Sequence, residues 1–105
     1  MSHVQQMSPK TVAAALRKGA CVVIDVREPD EHAALRIPGA VLHPLSSFDP
    51  RSLPREAGRK VVLACAAGGR SMKAAEACSD AGIAVANLTG GLAAWREAGL
   101  PVETD

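Results

Sequence analysis

The sequence has neither a long apolar run nor an excess of charge of one sign. Its longest apolar stretches, such as VVLACAA, fall far short of the ~20 residues that a membrane-spanning helix needs. Twelve basic and eleven acidic residues give a net charge of +1, and no basic cluster of the kind that binds nucleic acid or an anionic membrane occurs. The N-terminus, MSHVQQMSPK, also lacks the charged-then-apolar pattern of a secretory signal. We therefore expect a soluble, cytoplasmic protein that binds neither nucleic acid nor membranes.

The sequence also has little from which to build a disulfide framework or a metal site. Its three cysteines form no C-x-x-C pair, and an odd number in a chain without a secretory signal argues against a disulfide framework: Cys21, Cys65 and Cys78. The histidines are scattered, and none lies at ligand spacing from a cysteine: His3, His32 and His43. We expect no metal and no cofactor, and each cysteine needs its own explanation.

Apolar strand-like runs alternate with helical segments along the chain. CVVIDV, AVLHPL, KVVLAC and IAVANL predict strands, whereas PKTVAAALRKG, EPDEHAALR, SMKAAEACSDAG and GGLAAWREAG predict helices. The first helix has Ser8 as its N-cap and Pro9 at its first position, and a short helical turn is expected between Pro44 and Pro54. Such alternation predicts an α/β fold with right-handed crossovers, a three-layer sandwich whose ligand site lies outside the carboxyl ends of the strands. With 105 residues, we expect one domain over residues 1–105.

The segment VVLACAAGGRS, residues 61–71, leads from a predicted strand into a predicted helix. Cys65 lies where the strand ends, and Gly68 and Gly69 allow the sharp turn that follows. Backbone amides in such a loop, together with the helix N-terminus, favour an anion. A cysteine there has its pKa lowered from ~8.5 towards ~3.5–7.5, so we expect a Cys65 thiolate at neutral pH.

Two nucleophilic chemistries use a loop of this kind. The cysteine phosphatases place five residues between cysteine and arginine to hold a tetrahedral oxyanion, whereas only four separate Cys65 from Arg70. The smaller ring of amides favours a single sulfur atom.

Four stretches make the chain resemble the rhodanese-like sulfurtransferases: VVIDVREPDEH, IPGA, CAAGGRS and LTGGLAAWREAGLPV. The resemblance implies a sandwich around a five-stranded, mainly parallel sheet and a persulfide carried on Cys65. It further implies that loop amides hold the outer sulfur and that Asp25 and Arg27 brace the site. The loop residues concerned are Ala66, Ala67, Gly68, Gly69, Arg70 and Ser71.

The sequence departs from this family's pattern at two places. Where many members have G-H-I-P-G-A, this chain has Leu35 and Arg36 before IPGA. Cationic or polar residues often follow the cysteine in members that use thiosulfate, and here Ala66 and Ala67 follow it. An apolar loop mouth favours a persulfide donor over dianionic thiosulfate, unless Arg36 or Arg27 supplies charge from the rim.

Several other side chains have structural explanations. Cys78 lies at helical spacing from Ala74 and Ala81, and Cys21 opens a buried strand, so we expect both thiols to pack in the core. Trp95 lies three residues after Leu92 on the last predicted helix, and we expect it to pack in the core as well.

Charged residues near the two motifs have local explanations too. Arg27 and Glu31 are four residues apart, so a helical ion pair is the simpler interpretation, beside the bracing role that the resemblance implies for Arg27 and Asp25. Arg70 would offset the charge of a thiolate, or support the loop.

No histidine is paired with a nucleophile in the sequence, and sulfur transfer to an ionised thiolate needs no general base. We therefore expect a rhodanese-type thiosulfate sulfurtransferase. It would take sulfur from thiosulfate or a persulfide onto Cys65 and pass it to cyanide, a thiol or a protein acceptor. The alternatives are an arsenate reductase or small phosphatase on the same scaffold, and a persulfide carrier or sensor that hands sulfur to one protein partner without turnover.

Overall fold

The computed structural model of the chain describes residues 4–54 and 57–105, so His3 lies outside the described residues. Strands and helices alternate along this part of the chain. The strands are β1 (Gln5–Met7), β2 (Cys21–Asp25), β3 (Val41–Leu42), β4 (Lys60–Ala64) and β5 (Ala86–Leu88). The helices are α1 (Pro9–Arg17), α2 (Pro29–Ala34), α3 (Gly69–Asp80) and α4 (Gly91–Glu97), and two 3-10 turns cover Leu45–Ser47 and Pro50–Ser52.

The five strands form one sheet, in the order β1-β5-β4-β2-β3, and the strand pairs found within the described ranges are all parallel. The central strands β2 and β4 pair along their whole length, from Cys21 opposite Lys60 to Asp25 opposite Ala64. Residues of the sheet pack against α1 and α4 on one face and against α3 on the other. The predicted α/β/α sandwich is therefore confirmed, and the sheet, expected to be mainly parallel, has parallel neighbours throughout its described part.

Alternate residues of the central strands separate the two faces of the sheet, because successive side chains of a strand point in opposite directions. Cys21, Val23, Val62 and Ala64 pack on the face of α1 and α4, together with Trp95, which is 1% exposed. Ile24, Val61, Leu63 and Cys65 pack on the face of α3, together with Cys78. The core positions predicted for Cys21, Cys78 and Trp95 are thus confirmed.

The edge strand β1 was absent from the residue-based prediction, which found four of the five strands. Its sequence, QQM, has exposed glutamines and one buried residue, Met7, so it carries no apolar pattern. It forms because its backbone pairs with β5, from Gln5 opposite Ala86 to Met7 opposite Leu88. A strand held at a sheet edge by backbone pairing needs no apolar run of its own.

Element boundaries differ from the predicted ones mostly by shortening. Only residues 41–42 of AVLHPL and 86–88 of IAVANL pair as strand, although Ile83 and Val85 still pack in the core. Helix α3 begins at Gly69, two residues before the predicted start at Ser71, and the proline-rich stretch holds two 3-10 turns instead of one. Strand-like composition before β5 thus reflects burial without pairing.

Among the described residues, no helix has both the length and the apolar character needed to span a membrane.

Candidate active site

Cys65 is the first residue after β4, at the carboxyl edge of the sheet. It is 2% exposed and lies on the face of the sheet that α3 covers. Its Sγ accepts a hydrogen bond from the backbone N–H of Gly68 at 3.0 Å and lies 3.4 Å from the hydroxyl of Ser71. We call residues 65–71 the cysteine loop. The sulfur therefore lies inside this loop, against its backbone amides and the hydroxyl of Ser71.

The pKa of Cys65 results from two opposed effects. Burial raises it, because desolvation disfavours the thiolate. The hydroxyl of Ser71 and the backbone amides of Ser71, Gly68 and Ala67 lower it by hydrogen bonding, and together they outweigh burial. The net pKa lies below that of an ordinary cysteine, in the direction expected from the sequence.

The contrast with Cys21 shows that burial alone does not produce this effect. Cys21 is completely buried, and desolvation raises its pKa although the nearby charge of Arg59 lowers it in part. Its Sγ points to the carbonyl of Val12, at 3.9 Å. A thiol whose neighbour is a carbonyl gains nothing on ionisation, whereas one that faces amides does.

The N-terminus of α4 sets the orientation of the peptide groups in the cysteine loop. The amides of Leu92 and Ala93 donate to the carbonyl oxygens of Cys65 and Ala66, at 2.8 and 3.0 Å. In a trans peptide the C=O and N–H bonds point in opposite directions. Fixing the Ala66 carbonyl on α4 therefore turns the amide of Ala67 the other way, and this amide is one of those that lower the pKa of Cys65.

One glycine of the cysteine loop is required by its backbone, and the other is not. Gly68, the N-cap of α3, has φ of 104°, in the left-handed region that glycine adopts without strain. Gly69 has no positive φ, begins the helix, and has open space where a Cβ would project. The sequence predicts a turn that needs both glycines, whereas in the structure only Gly68 has the positive φ, so the prediction is wrong for Gly69.

Ser71 belongs to a buried polar chain that the sequence analysis did not identify. Its hydroxyl lies 2.6 Å from Oδ1 of Asn87, 3.2 Å from the carbonyl of Gly68 and 3.4 Å from Sγ of Cys65. Nδ2 of Asn87 in turn donates to Oε1 of Gln6 at 3.0 Å. The one hydroxyl proton of Ser71 thus has three alternative acceptors: Oδ1 of Asn87, the carbonyl of Gly68 and the sulfur of Cys65. Asn87, 2% exposed, is the polar residue in IAVANL, and a polar residue in a buried strand is the signal that identifies it.

The charged residues around the loop pair differently from the prediction. Arg70 makes two hydrogen bonds to Glu31, from Nη1 to Oε1 at 2.8 Å and from Nη2 to Oε2 at 2.9 Å. Arg27 instead pairs with Asp25, at 2.8 Å between Nη2 and Oδ2. The predicted helical pair of Arg27 with Glu31 is therefore wrong. Arg27 turns back towards the end of β2, where the Asp25 carboxylate and the carbonyl of Leu35 replace the water that its buried guanidinium loses.

Asp25 is the last residue of β2 and lies opposite Ala64, the residue before Cys65, and Arg27 follows two residues later. Both residues are buried, at 4% and 5% exposure, and Nη2 of Arg27 also donates to the carbonyl of Leu35 at 2.6 Å. The amide of Val26, between them, donates to the carbonyl of Ala64, the residue before Cys65. The pair therefore ties the strand end beside Cys65 to the segment that follows α2.

Arg36 contacts the C-terminal segment. Its Nη1 lies 2.8 Å from Oδ1 of Asp105, and its backbone forms an antiparallel bridge with Glu103. The same Nη1 donates to the carbonyl of His32, near the end of α2. The hydrogen bonds described for Arg36 thus lie outside the cysteine loop, and its role in donor binding stays a prediction.

Within residues 4–54 and 57–105, no three His, Cys, Asp or Glu side chains lie together as they would around a metal ion. The groups brought together at this edge of the sheet are a thiol, a hydroxyl, backbone amides and a paired arginine. Such a set can stabilise a thiolate and a second anionic sulfur attached to it.

Comparison with known proteins places the chain in a family. A model of the rhodanese-like domain matches residues 8–98. An uncharacterized protein of Synechocystis is 38% identical over 96 residues, which are 90% of this chain and 54% of that protein, so the chain spans about half the length of this relative. A protein of Allochromatium vinosum named sulfurtransferase is 35% identical over 82 residues, 77% of either protein.

The fold comparison agrees with the sequence comparison. The crystal structure of a rhodanese-related protein from Thermoplasma volcanium superposes with a TM-score of 0.85, at 29% identity, and covers 96% of this chain and 99% of that one. The match of the fold therefore extends over nearly the whole chain. The chain belongs to the family of rhodanese-like domains, which includes proteins named sulfurtransferases.

Proposed function

We propose that the chain is a rhodanese-type sulfurtransferase that carries the transferred sulfur as a persulfide on Cys65. One observation carries this proposal. The Sγ of Cys65 is buried and yet accepts a hydrogen bond from the amide of Gly68 at 3.0 Å, in surroundings that lower its pKa. A buried thiol with a lowered pKa, at the carboxyl edge of a parallel sheet, suits a nucleophile better than a packing residue.

The proposed cycle consists of two displacements at sulfur. The Cys65 thiolate attacks the outer sulfur of the donor, the bond from that sulfur to the rest of the donor breaks, and the leaving group departs with the electron pair. Thiosulfate releases sulfite in this step, and a persulfide releases a thiolate. Cyanide or a thiolate then attacks the outer sulfur of the Cys65 persulfide, forming thiocyanate or a new persulfide and restoring the Cys65 thiolate. No proton has to be transferred, so the cycle needs neither a general base nor a cofactor.

The residues of the cysteine loop have distinct roles in this proposal. The amides of Ala66, Ala67, Gly68, Gly69, Arg70 and Ser71 are proposed to hold the outer sulfur, which is anionic in the persulfide. In this proposal the outer sulfur extends from Sγ towards the exposed residues of the loop, Ala67 and Gly69. Asp25 and Arg27 brace the strand end below the loop and touch no reactant. The whole of residues 1–105 is proposed to act as one domain, in the cytoplasm.

The acceptor and donor are proposed by chemical class: thiosulfate or persulfides as donors, and cyanide, thiols or a protein thiol as acceptors.

Phosphate chemistry is disfavoured by the loop itself. Four residues separate Cys65 from Arg70, and the guanidinium that would have to hold phosphate oxygens is bound to the carboxylate of Glu31 through both Nη atoms. Absence of aryl phosphate hydrolysis is therefore expected.

The proposal is tested by intact mass spectrometry before and after incubation with thiosulfate or a persulfide. The expected result is a gain of one sulfur atom per chain, which cyanide removes as thiocyanate. Continuous thiocyanate or persulfide formation in the presence of free acceptor identifies an enzyme. Loading without such turnover would identify a sulfur carrier or sensor instead, and failure of every donor to load the chain would refute the proposal.

A further inference from the structure

Each of the three arginines that the sequence places near the site is paired with a carboxylate. Arg27 pairs with Asp25, Arg36 with Asp105 and Glu103, and Arg70 with Glu31. Arg27 is buried and bound to Asp25 and to the carbonyl of Leu35, and Arg36 contacts the C-terminal segment. Arg70 is the one that belongs to the loop, because it lies in the first turn of α3 directly after Gly69. The charge that an incoming donor meets therefore depends on Arg70 and on the group that binds it.

Glu31 binds Arg70 through both of its carboxylate oxygens, at 2.8 and 2.9 Å. The hydrogen bonds from Arg70 are the largest of the effects that lower the pKa of Glu31, to about 2, so the carboxylate stays ionised at any pH at which sulfur transfer would be assayed. Glu31 also accepts a hydrogen bond from the amide of Glu28, which fixes it at the start of α2. The pair is bidentate, its carboxylate is held in place by the amide of Glu28, and its net charge is zero.

We propose that Glu31 is a specificity-determining residue: by offsetting the charge of Arg70 it makes the loop mouth select donors with one negative charge over dianionic donors such as thiosulfate. This inference rests on the proposed sulfur transfer through Cys65. In this proposal Glu31 contacts neither the sulfur of Cys65 nor the donor, and it acts only through Arg70.

The physical reason lies in the charge that gathers at the site during the first displacement. A thiolate and a thiosulfate dianion together bring three negative charges into a loop with apolar residues, Ala66 and Ala67, at its mouth. A monoanionic donor brings two. A guanidinium without a carboxylate partner would stabilise the complex with thiosulfate more than the complex with a monoanionic donor, because thiosulfate carries more negative charge. The carboxylate of Glu31 offsets the guanidinium charge and removes this preference for thiosulfate. Both side chains of the pair are about one-third exposed, so the effect is moderate and falls with added salt.

Two donors of matched chemistry test the inference. Thiosulfate and methanethiosulfonate both carry their outer sulfur on a tetrahedral sulfonyl centre, and releasing it leaves sulfite or methanesulfinate. They differ by one unit of charge. Glu31→Gln removes the carboxylate charge and keeps an Oε1 atom for the amide of Glu28. We expect it to lower the ratio of the thiosulfate KM to the methanethiosulfonate KM by about fivefold at low salt, the factor that corresponds to one surface ion pair.

Asp30→Asn is the matched control. Asp30 lies beside Glu31 in the first turn of α2, is exposed, and is not among the partners found for Arg70 in the described part of the chain. Asp30→Asn removes one negative charge from the first turn of α2, as Glu31→Gln does. We expect the KM ratio of Asp30→Asn to stay within about twofold of that of the wild type. An equal decrease in Asp30→Asn would mean that general surface charge, and not the pairing with Arg70, sets donor choice, which would overturn the inference.

A double-mutant cycle distinguishes charge compensation from a structural role. Arg70→Ala leaves Glu31 unpaired at the mouth, so we expect the KM ratio to rise. The double variant, Glu31→Gln with Arg70→Ala, lacks both charges, so its net charge at this place is zero, as in the wild-type pair. Its KM ratio should therefore return to about the wild-type value. Since the ratio compares two donors on one protein, a smaller fraction of folded or ionised protein lowers both rates and leaves the KM ratio unchanged.

The outcomes separate this inference from the proposed function. If neither donor loads wild-type Cys65, the proposed sulfur transfer fails and the inference fails with it. If both donors load Cys65 but Glu31→Gln leaves their KM ratio unchanged, or the double variant does not restore it, Glu31 has no part in donor choice and the sulfur transfer stands.

Discussion

Gly91 approaches Cys65 so closely that a Cβ on the glycine would lie 2.4 Å from the carbonyl oxygen of the cysteine. The same Cβ would lie 2.8 Å from both the carbonyl carbon and the oxygen of Ala66. These atoms are backbone atoms of the cysteine loop, and they cannot rotate away as a flexible side chain does. The absence of a side chain at Gly91 thus allows α4 to donate its first amides to the loop and to turn the amide of Ala67 towards the sulfur.

The first prediction follows from this contact. Gly91→Ala should displace the cysteine loop from α4, weaken the hydrogen bonds to the carbonyls of Cys65 and Ala66, and lower the rate of sulfur loading by at least about tenfold, the factor that the loss of one or two such bonds represents. The pKa of Cys65 should rise at the same time, because its amide donors move. Loading rates from intact mass and the pH dependence of alkylation measure both effects.

Gly99→Ala is the control for the strain that alanine meets in a left-handed conformation. Gly99 has φ of 73°, close to the 61° of Gly91, but a Cβ there would find nothing within 4 Å. Both variants carry the conformational cost of about 1–2 kcal/mol, and only Gly91→Ala adds the clash. If Gly99→Ala slowed loading as much as Gly91→Ala, the cause would be lost stability and not the contact with the loop.

The second prediction concerns the hydroxyl of Ser71, one of the groups that lower the pKa of Cys65. A thiolate loses this donor in Ser71→Ala, so the folded-state pKa of Cys65 should rise. The rate of alkylation by iodoacetamide follows the thiolate, and its midpoint should move to higher pH, with a slower rate at neutral pH. Some stability should be lost as well, about 1–3 kcal/mol, because Oδ1 of the buried Asn87 loses its donor.

Ser47→Ala, at an exposed position in the 3-10 turn Leu45–Ser47, provides the matched serine removal. Its alkylation profile should coincide with that of the wild type. If the alkylation profile of Ser71→Ala also matched that of the wild type, the backbone amides alone would set the reactivity of Cys65. The hydroxyl of Ser71 would then only donate to Asn87.

The chemistry of the loop could be predicted from the sequence because it is local. Strand, cysteine, small residues and helix follow one another within residues 61–71, and neighbours in sequence are neighbours in space there. Gly68 could be assigned to the turn for the same reason, while the assignment of Gly69 failed because composition does not tell which of two adjacent glycines adopts the positive φ.

What the sequence could not provide are the contacts made across the fold. Asn87 reaches Ser71 from β5, and Glu31 reaches Arg70 from α2, 39 residues away. An arginine four residues before Glu31 offered a plausible local partner, and only the burial of Arg27 against Asp25 decides against it. The edge strand β1 escaped prediction for a similar reason, since backbone pairing with β5 holds it in place.

The third prediction concerns the buried pair of Asp25 and Arg27. Asp25→Ala leaves a guanidinium buried at 5% exposure without its carboxylate, and we expect the free energy of unfolding to fall by about 3–5 kcal/mol. Denaturant unfolding measures the change. Asp105→Ala removes a carboxylate from Arg36 at the surface, where the aspartate side chain is 66% exposed, and should cost less than about 1 kcal/mol. Equal costs for the two variants would contradict the view that the inner pair braces the site.

The fourth prediction concerns Arg36, which the sequence places where many family members have histidine. If it attracts anionic donors, Arg36→Ala should raise the KM for thiosulfate more than the KM for methanethiosulfonate, with a smaller difference at high salt. Because Asp105 and Glu103 already offset its charge, we expect the KM for thiosulfate to rise only about twofold relative to the KM for methanethiosulfonate. Equal changes for both donors would exclude Arg36 from donor binding.

The last prediction is that Cys65 alone carries the transferred sulfur. The chain has three buried thiols, Cys21, Cys65 and Cys78, and burial raises the pKa of Cys21 whereas hydrogen bonds lower that of Cys65. After incubation with a donor, peptide mapping should find one additional sulfur, on Cys65, and cyanide or a thiol should remove it. Cys65→Ser is nearly isosteric, so it should keep the fold and lose all loading.

Cys78→Ala is the matched variant, because Cys78 packs on the same face of the sheet as Cys65 and is completely buried. It should load normally and lose about 1 kcal/mol or more of stability to the cavity that the missing sulfur leaves. Cys65→Ser should thus lose sulfur loading and keep its stability, whereas Cys78→Ala should keep sulfur loading and lose some stability. A persulfide that formed in Cys65→Ser, or that moved to Cys78 during turnover, would replace the single-cysteine cycle with one in which a second cysteine takes part.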